Sequence, residues 1–408
     1  MTTKSSDSVF IGRQPIFNSS LDIYAYELLY RSGHKNIAGV FDGNAATTNV
    51  ILNSFMEIGF DNLVAGHKAF INLTHSFIDG SIPLPMTKKQ VVLEILEDIP
   101  PEPEIIAQIQ VLRDQGYIIA LDDFIFDETM KPYINVANMI KVDVQLVDDT
   151  TLPGHVKTMK QNGIRMLAEK VETLEEFERY KEMGFDLFQG YFLSKPQVIE
   201  GKKLSSNTMI LMDLLSKLQN PDIEFAELES LVARDAALSY KLLRYINSPA
   251  VGLGGKVDSV QRALLILGLD ALKKWMTLLV MSGMSEKSDE LIRTAMIRGK
   301  MCELLANNAG VEKANSYFTV GLFSLLDAML DIRMSDILKD LPLEQRLNTA
   351  LIEHKEAEGF ALQCVIDYEE GRWDDMKYSD LSNTVIGKVY LEAIQWADQL
   401  MQGFQDTK

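Results

Sequence analysis

Six oxygen-bearing side chains, Glu27, Asn72, Glu94, Asp122, Asp123 and Glu169, stand within or at the ends of short apolar runs in the first half of this 408-residue chain. The stretch YIIALDDF, Tyr117 to Phe124, is the plainest case: an apolar run of strand character stops at two adjacent carboxylates, Asp122 and Asp123. Like charges meeting where a strand leaves a core are costly unless a cation sits beside them, and a divalent metal ion is the usual cation. No His or Cys stands at these run ends, so the donor set is hard oxygen, suited to Mg²⁺ or Mn²⁺ rather than to zinc or copper. Glu27 and Arg31 are four apart on one run, which puts a metal ligand and a phosphate-binding cation on the same strand face. Lys141, in the otherwise apolar MIKVDV, would point into the same mouth, where it could orient or deprotonate a metal-bound water. Carboxylate-held metal with Lys and Arg nearby is equipment for attacking a phosphodiester. One carboxylate at a strand end is more often a cap or a solvated group; six oxygen-bearing groups spread over five runs shift that balance. His67 and His75 have no partner at metal-ligand spacing and read as loop residues, while Asp143 and Glu172 stay open between outer support of the site and plain solvation.

The elements that must position these groups are short β-rich runs alternating with helical patterns from about residue 8 to residue 196, the mark of parallel βα units. Seven runs are readable: IYAYELLYR around Glu27, AFINLT around Asn72, VVLEIL around Glu94, YIIALDDF, MIKVDV around Lys141, RMLAEKV around Glu169 and LFQGYFL around Gln189. Between them lie the helix candidates NAATTNVILNSFMEIGF, PEPEIIAQIQVLRDQ and TLEEFERYKEMG, the last opening with a capping-box pattern, Thr173 with Glu176. Seven strands with intervening helices imply an α/β, TIM-like (β/α) barrel with one element unread, and such barrels gather their chemistry at the C-terminal strand ends.

Length and composition bound the rest. A chain of 408 residues with 47% hydrophobic residues suits two or three ordinary globular domains. A formal net charge of −18 argues against nucleic acid or an anionic membrane as the main partner, since either demands clustered Lys and Arg. Two cysteines, Cys302 and Cys364, leave no disulfide framework and no Cys-rich zinc site. The polar start MTTKSSDSVF and the lack of a membrane-length apolar run complete the expectation of a soluble cytoplasmic protein.

ELLYR (Glu27–Arg31), INLT with Asn72, LEILE (Leu93–Glu97), LDDF (Leu121–Phe124), IKVD with Lys141, AEKVE (Ala168–Glu172) and QGYFLSKP (Gln189–Pro196) resemble, in order and spacing, the EAL domain. That resemblance implies a TIM-like barrel hydrolysing cyclic di-GMP to linear pGpG with two Mg²⁺ or Mn²⁺ ions. It implies Glu27, Asn72, Glu94 and Asp122 on a first metal, Asp123 and Glu169 at a second, and Lys141 as general base or water-orienting group. Gln189 then lies near the metal-bound water, Arg31 contacts ligand phosphate, and a homodimer forms through the barrel. Three departures stand out. The signature triplet is Glu27-Leu28-Leu29 in place of Glu-Ala-Leu; FIFDETMKPY replaces the Phe-Gly-Thr-Gly loop, with Ile125 and Phe126 where glycine would bend the chain; and Lys170 replaces the Gly of Ala-Glu-Gly-Val-Glu.

From PQVIEGKKLSSN, residues 196–207, the chain turns polar and then wholly helical in pattern, so we divide it into an EAL-type barrel, residues 1–200, and an all-α domain, residues 201–408. Ser259 and Gly268 sit where an N-cap and a C-terminal glycine belong, and Trp275 and Met276 read as core. GLGGK (252–256) fails as a phosphate loop, with Ala250 in the first Gly position and Val257 in the Ser/Thr position. RDAALSYKLLRYINSPAVG, VDSVQRALLILGLDALKKWM and YFTVGLFSLLDAML resemble the HDOD domain, a relative of HD phosphohydrolases. Ser324 and Leu325 stand in place of the His-Asp pair and His354 is the sole histidine of this half, so the resemblance implies a protein-interaction module for an unidentified protein partner. Two functions remain open: a binding protein of cyclic di-GMP signalling with weak or lost hydrolysis, and an active phosphodiesterase regulated by the helical domain.

Overall fold

The computed structural model describes residues 9–32, 63–73, 75–78, 87–97, 99–148 and 150–193, scattered positions between 215 and 247, and residues 257, 259–284, 289–312, 314–341 and 343–405. Eight strands close into a barrel in sequence order: β1 Val9–Asn18, β2 Ile23–Ser32, β3 Lys68–Leu73, β4 Val91–Ile95, β5 Ile118–Leu121, β6 Met139–Asp143, β7 Arg165–Glu169 and β8 Leu187–Gln189. β2 to β8 run parallel, and β1 closes the ring antiparallel to both β2 and β8. β1 is the element missing from the seven-run reading: Gly12 and Pro15 interrupt VFIGRQPIFN and hide its strand character.

The parallel strands are apolar because both their faces are covered, and β4, VVLEI, is buried at every position. Inside the barrel each strand contributes one residue to a single packed layer: Ile16, Ala25, Phe70, Val92, Ala120, Met139, Leu167 and Leu187. The helix Pro103–Asp114 fulfils the PEPEIIAQIQVLRDQ reading, and Leu174–Met183 fulfils TLEEFERYKEMG. Thr173 Oγ1 accepts from the Glu176 amide at 3.1 Å while Glu176 Oε2 accepts from the Thr173 amide at 3.2 Å, the reciprocal cap read from the sequence. The NAATTNVILNSFMEIGF helix lies outside the described residues. His75, read as a loop residue, opens a short helix, His75–Ile78, two positions past the end of β3.

Compact unit one holds residues 1–195 with 368–374 and 382–387; unit two holds 196–367, 375–381 and 388–408. Described residues from 215 to 405 contain helices and no strand. Ser259 Oγ accepts from the Arg262 amide to start Val260–Leu267, and Gly268, at φ 76°, ends it. Trp275 and Met276 are buried as expected. Asn247 of the INSP segment donates to the Leu243 and Val257 carbonyls, both at 2.7 Å, and accepts from the Val257 amide, which pins Val257 to the helical turn before it. The helix Asp289–Asn308 is buried on nearly all sides. Its carbonyl at Arg298 lies 2.4 Å from where a Cβ on Gly321 would fall, so only glycine lets Asn315–Phe323 come so close. No described helix is long and apolar enough to cross a membrane.

Candidate functional site

The barrel layer specifies the site by counting. Two residues on from each strand's contribution to the apolar layer, side chains return to the same interior face, one step nearer the C-terminal rim. From Ala25, Phe70, Val92, Ala120, Met139, Leu167 and Leu187 that step reaches Glu27, Asn72, Glu94, Asp122, Lys141, Glu169 and Gln189. β1 runs the opposite way, so its matching position lies two residues before Ile16, at Gln14. An apolar ring is thus stacked beneath a polar one drawn from all eight strands, and Gln14 is the member absent from the sequence reading. Gln14 faces Glu27 across β1 and β2 and Asn72 faces Glu94 across β3 and β4, while the barrel's stagger offsets other pairs by two residues, setting Glu27 opposite Phe70 and Lys141 opposite Leu167.

Lys141 is the hub. Its Nζ lies 2.7 Å from Glu94 Oε1, 2.7 Å from Asp122 Oδ1, 3.0 Å from Glu169 Oε1 and 3.5 Å from Glu27 Oε1, and the residue is wholly buried. Gln189 Nε2 donates to Glu27 Oε2 at 2.6 Å and to Gln14 Oε1 at 2.9 Å. Four carboxylates against one ammonium leave too little positive charge. Burial pushes Glu94 well above the ordinary carboxylate range, against the pull of Lys141 and with help from Glu27 and Asp122. Burial likewise takes Glu169 up to about 8, again opposed by Lys141 and aided by Asp122 and Glu27. For Lys141 burial acts downward, but Glu27, Glu94, Glu169 and Asp122 together outweigh it and hold the ammonium well above the usual lysine range.

Buried oxygens without a hydrogen-bond donor mark what this ring lacks: Asn72 Oδ1, Glu94 Oε2, Glu169 Oε2 and Gln189 Oε1. Such atoms carry a desolvation penalty that a hard cation or a water would remove. Among the described residues no group of three His, Cys, Asp or Glu is arranged to hold a metal as placed, because the carboxylates are turned onto Lys141. The donor chemistry and the unsatisfied oxygens fit Mg²⁺ or Mn²⁺, taking over the neutralisation Lys141 provides.

Asp123 lies apart from this ring. It follows the strand end in a left-handed conformation, φ 39°, which Asp tolerates better than most residues. Burial and the charges of Asp122 and Asp143 raise its carboxyl, while Lys170 opposes them. Asp143 supports the rim: Lys170 Nζ pairs with its Oδ2 and the Gln145 amide donates to its Oδ1 at 2.9 Å. Glu172 Oε1 accepts from Gln145 Nε2 at 3.1 Å. Arg31 sits on β2 opposite Phe10, and its side chain lies outside the described part.

The two bulky residues in the altered loop do not fill the cavity. Ile125 is 69% exposed, and Phe126 stacks on His155 with ring centroids 4.2 Å apart and 12° between planes. Phe124, buried, meets Phe126 edge-on at 5.4 Å. The glycine-like conformation falls on Asp123 and not on residue 125, so this loop turns without the glycine.

The family described as EAL domain matches residues 65–196, and that described as HDOD domain matches residues 204–354. A Bacillus subtilis (strain 168) relative, "Uncharacterized protein YuxH", is 35% identical over 406 residues, covering 96% of this chain and 99% of the relative. "Cyclic di-GMP phosphodiesterase CdgJ" of Vibrio cholerae serotype O1 is 31% identical over 404 residues, 96% of this chain and 93% of the relative. Among solved structures, the calcium/cy-diGMP complex of Klebsiella pneumoniae BlrP1 at pH 8.0 is similar with 22% identity and TM-score 0.38, over 48% of this chain and 58% of that one.

Proposed function

Because the chain belongs to the family of proteins that join an EAL domain to an HDOD domain, we propose that its barrel, residues 1–200, binds and slowly hydrolyses cyclic di-GMP with a divalent metal, and that its helical domain, residues 201–408, engages a protein partner. The observation that carries this reading is the convergence of Glu27, Glu94, Asp122 and Glu169 within 3.5 Å of one buried nitrogen, Lys141 Nζ. Glu27, Asn72, Glu94, Asp122 and Glu169 would hold the ion. When bound, Mg²⁺ or Mn²⁺ supplies Lewis-acid activation of the phosphodiester and of water.

The chain's own groups do the rest. Gln189, fixed by its bonds to Glu27 and Gln14, turns its unsatisfied Oε1 inward, where it accepts from the attacking water. Lys141, set among these donors, orients the attacking water or a phosphate oxygen. Arg31 contacts a ligand phosphate from β2. The cyclic dinucleotide as ligand follows from the similarity to CdgJ, whose printed name gives that activity.

A binding role with little turnover is the second reading, favoured by the ammonium of Lys141 standing at the centre of the donors. One experiment separates them: cyclic di-GMP with Mn²⁺ and full-length protein, with products resolved by chromatography. The linear dinucleotide, abolished by Glu27→Ala, is expected. Calorimetric binding without product supports the second reading, and neither binding nor product overturns both.

A further inference from the structure

The rim holds a second group of charges that the ring does not use, and it centres on Lys170. This residue adopts a left-handed backbone, φ 57°, a conformation that disfavours any side chain with a Cβ. Its backbone is held from outside, since Gln145 Nε2 donates to the Lys170 carbonyl at 3.3 Å. The side chain, 55% exposed, reaches back to pair with Asp143, itself 5% exposed. Asp143 is level with Glu169 in the β6–β7 register. Asp123, half-buried on the neighbouring strand end, feels the same ammonium. Asp123 and Asp143 are therefore two oxygen donors at the mouth that already face a cation of the chain, through an ion pair at Asp143 and an electrostatic pull at Asp123, whereas the inner ring keeps unsatisfied oxygens.

We propose that Lys170 is a built-in cation for the outer carboxylates Asp123 and Asp143, and that it limits the barrel to one divalent ion, held by the inner ring. The inference rests on the metal-binding reading above and deepens it. A tethered ammonium competes with a free ion at very high effective concentration, and its charge repels a second divalent cation at the same donors. Lys170 is a positioning residue in this account, acting on the ligand through the carboxylates it occupies.

Counting Mn²⁺ bound per full-length chain, with free Mn²⁺ followed by electron paramagnetic resonance, tests it. Wild type and Lys170→Arg are expected to bind one ion, and Lys170→Met and Lys170→Gly two, with circular dichroism unchanged in all four. Glycine relieves the backbone at this position and methionine keeps the chain length, so the pair separates charge from conformation. Two ions in wild type, or one ion in both neutral variants, overturns the proposal while leaving metal binding intact. No ion in any of the four proteins overturns the metal reading and this inference together.

Discussion

Replacing Lys141 by methionine removes the ammonium while keeping most of the side chain's volume, so the loss it produces is electrostatic. Four carboxylates lie within 3.5 Å of the missing nitrogen, and three of them within 3.0 Å. Breaking a buried ion pair by deleting one partner costs about 3–5 kcal/mol. A second route gives a similar figure. If one further carboxylate of ordinary pKa, ~4.3, must take up a proton at pH 7.5, the cost at ~1.4 kcal/mol per pH unit is about 4 kcal/mol. Protonation at pH 5 is nearly free by the same reckoning, about 1 kcal/mol. Urea unfolding of Lys141→Met in EDTA, followed by far-ultraviolet circular dichroism, is therefore expected to show a loss of about 4 kcal/mol at pH 7.5 that shrinks to about 1 kcal/mol at pH 5, with the denaturant slope unchanged. Mn²⁺ should restore the variant more than it stabilises wild type, because no ammonium competes for the oxygens. A loss of similar size at both pH values would show that Lys141 contributes by packing, and the charge account of the ring would be wrong.

Glu169 gives a pH dependence of known sign in the metal-free protein. Its folded-state carboxyl, taken to about 8 by burial, holds a proton the unfolded chain releases near 4.5, so the stabilisation is complete below pH ~4.5 and is lost as pH rises through about 8. Metal-free protein should lose on the order of 4 kcal/mol between pH 5 and 8 on this account, and Mn²⁺ should flatten the profile; a stability that rises over that window refutes it. Gly190→Ala should destabilise the barrel by more than about 3 kcal/mol in the same unfolding assay, since its Cβ would fall 2.1 Å from the Val171 carbonyl oxygen and its φ is 144°. Thr173→Ala removes the reciprocal cap and should cost about 1 kcal/mol, read as a small downward shift in melting temperature.

The barrel was legible because parallel strands covered on both faces must be apolar runs, and each polar residue interrupting such a run at a strand end is conspicuous. Glu94 in VVLEI and Lys141 in MIKVD stand out for that reason, and both proved wholly buried. β1 was not legible: Pro15 and Gly12 disguise it, and Gln14, lying on an unread strand, could not be placed. One signal would have found it. A Gln two residues before a buried Ile, on a strand antiparallel to the rest, mirrors the spacing of Leu187 and Gln189. The role of Lys141 as hub was likewise beyond sequence, because period-two spacing gives the face of a strand but not which of eight inward side chains meet at the axis. Residues 125 and 126 were read as standing where glycine would bend the chain; the stacking of Phe126 on His155, a partner far along the chain, is something no local pattern connects to them.

The two lysines explain how a chain with formal charge −18 keeps so many carboxylates at one barrel mouth without a metal present. Lys141 offsets part of the inner ring's charge from β6, and Lys170 offsets part of the outer pair's from just beyond β7, the strand next to it. They differ in what displacement would cost. Lys141 is fully buried, so an ion that replaces it must supply at least the same charge at the same centre, which a divalent cation does twice over. Lys170 is more than half exposed and can leave Asp143 for water. The ordering by affinity comes instead from the oxygens that only the inner ring leaves unsatisfied: added metal should reach that ring first and leave the Lys170–Asp143 pair in place at concentrations that saturate it.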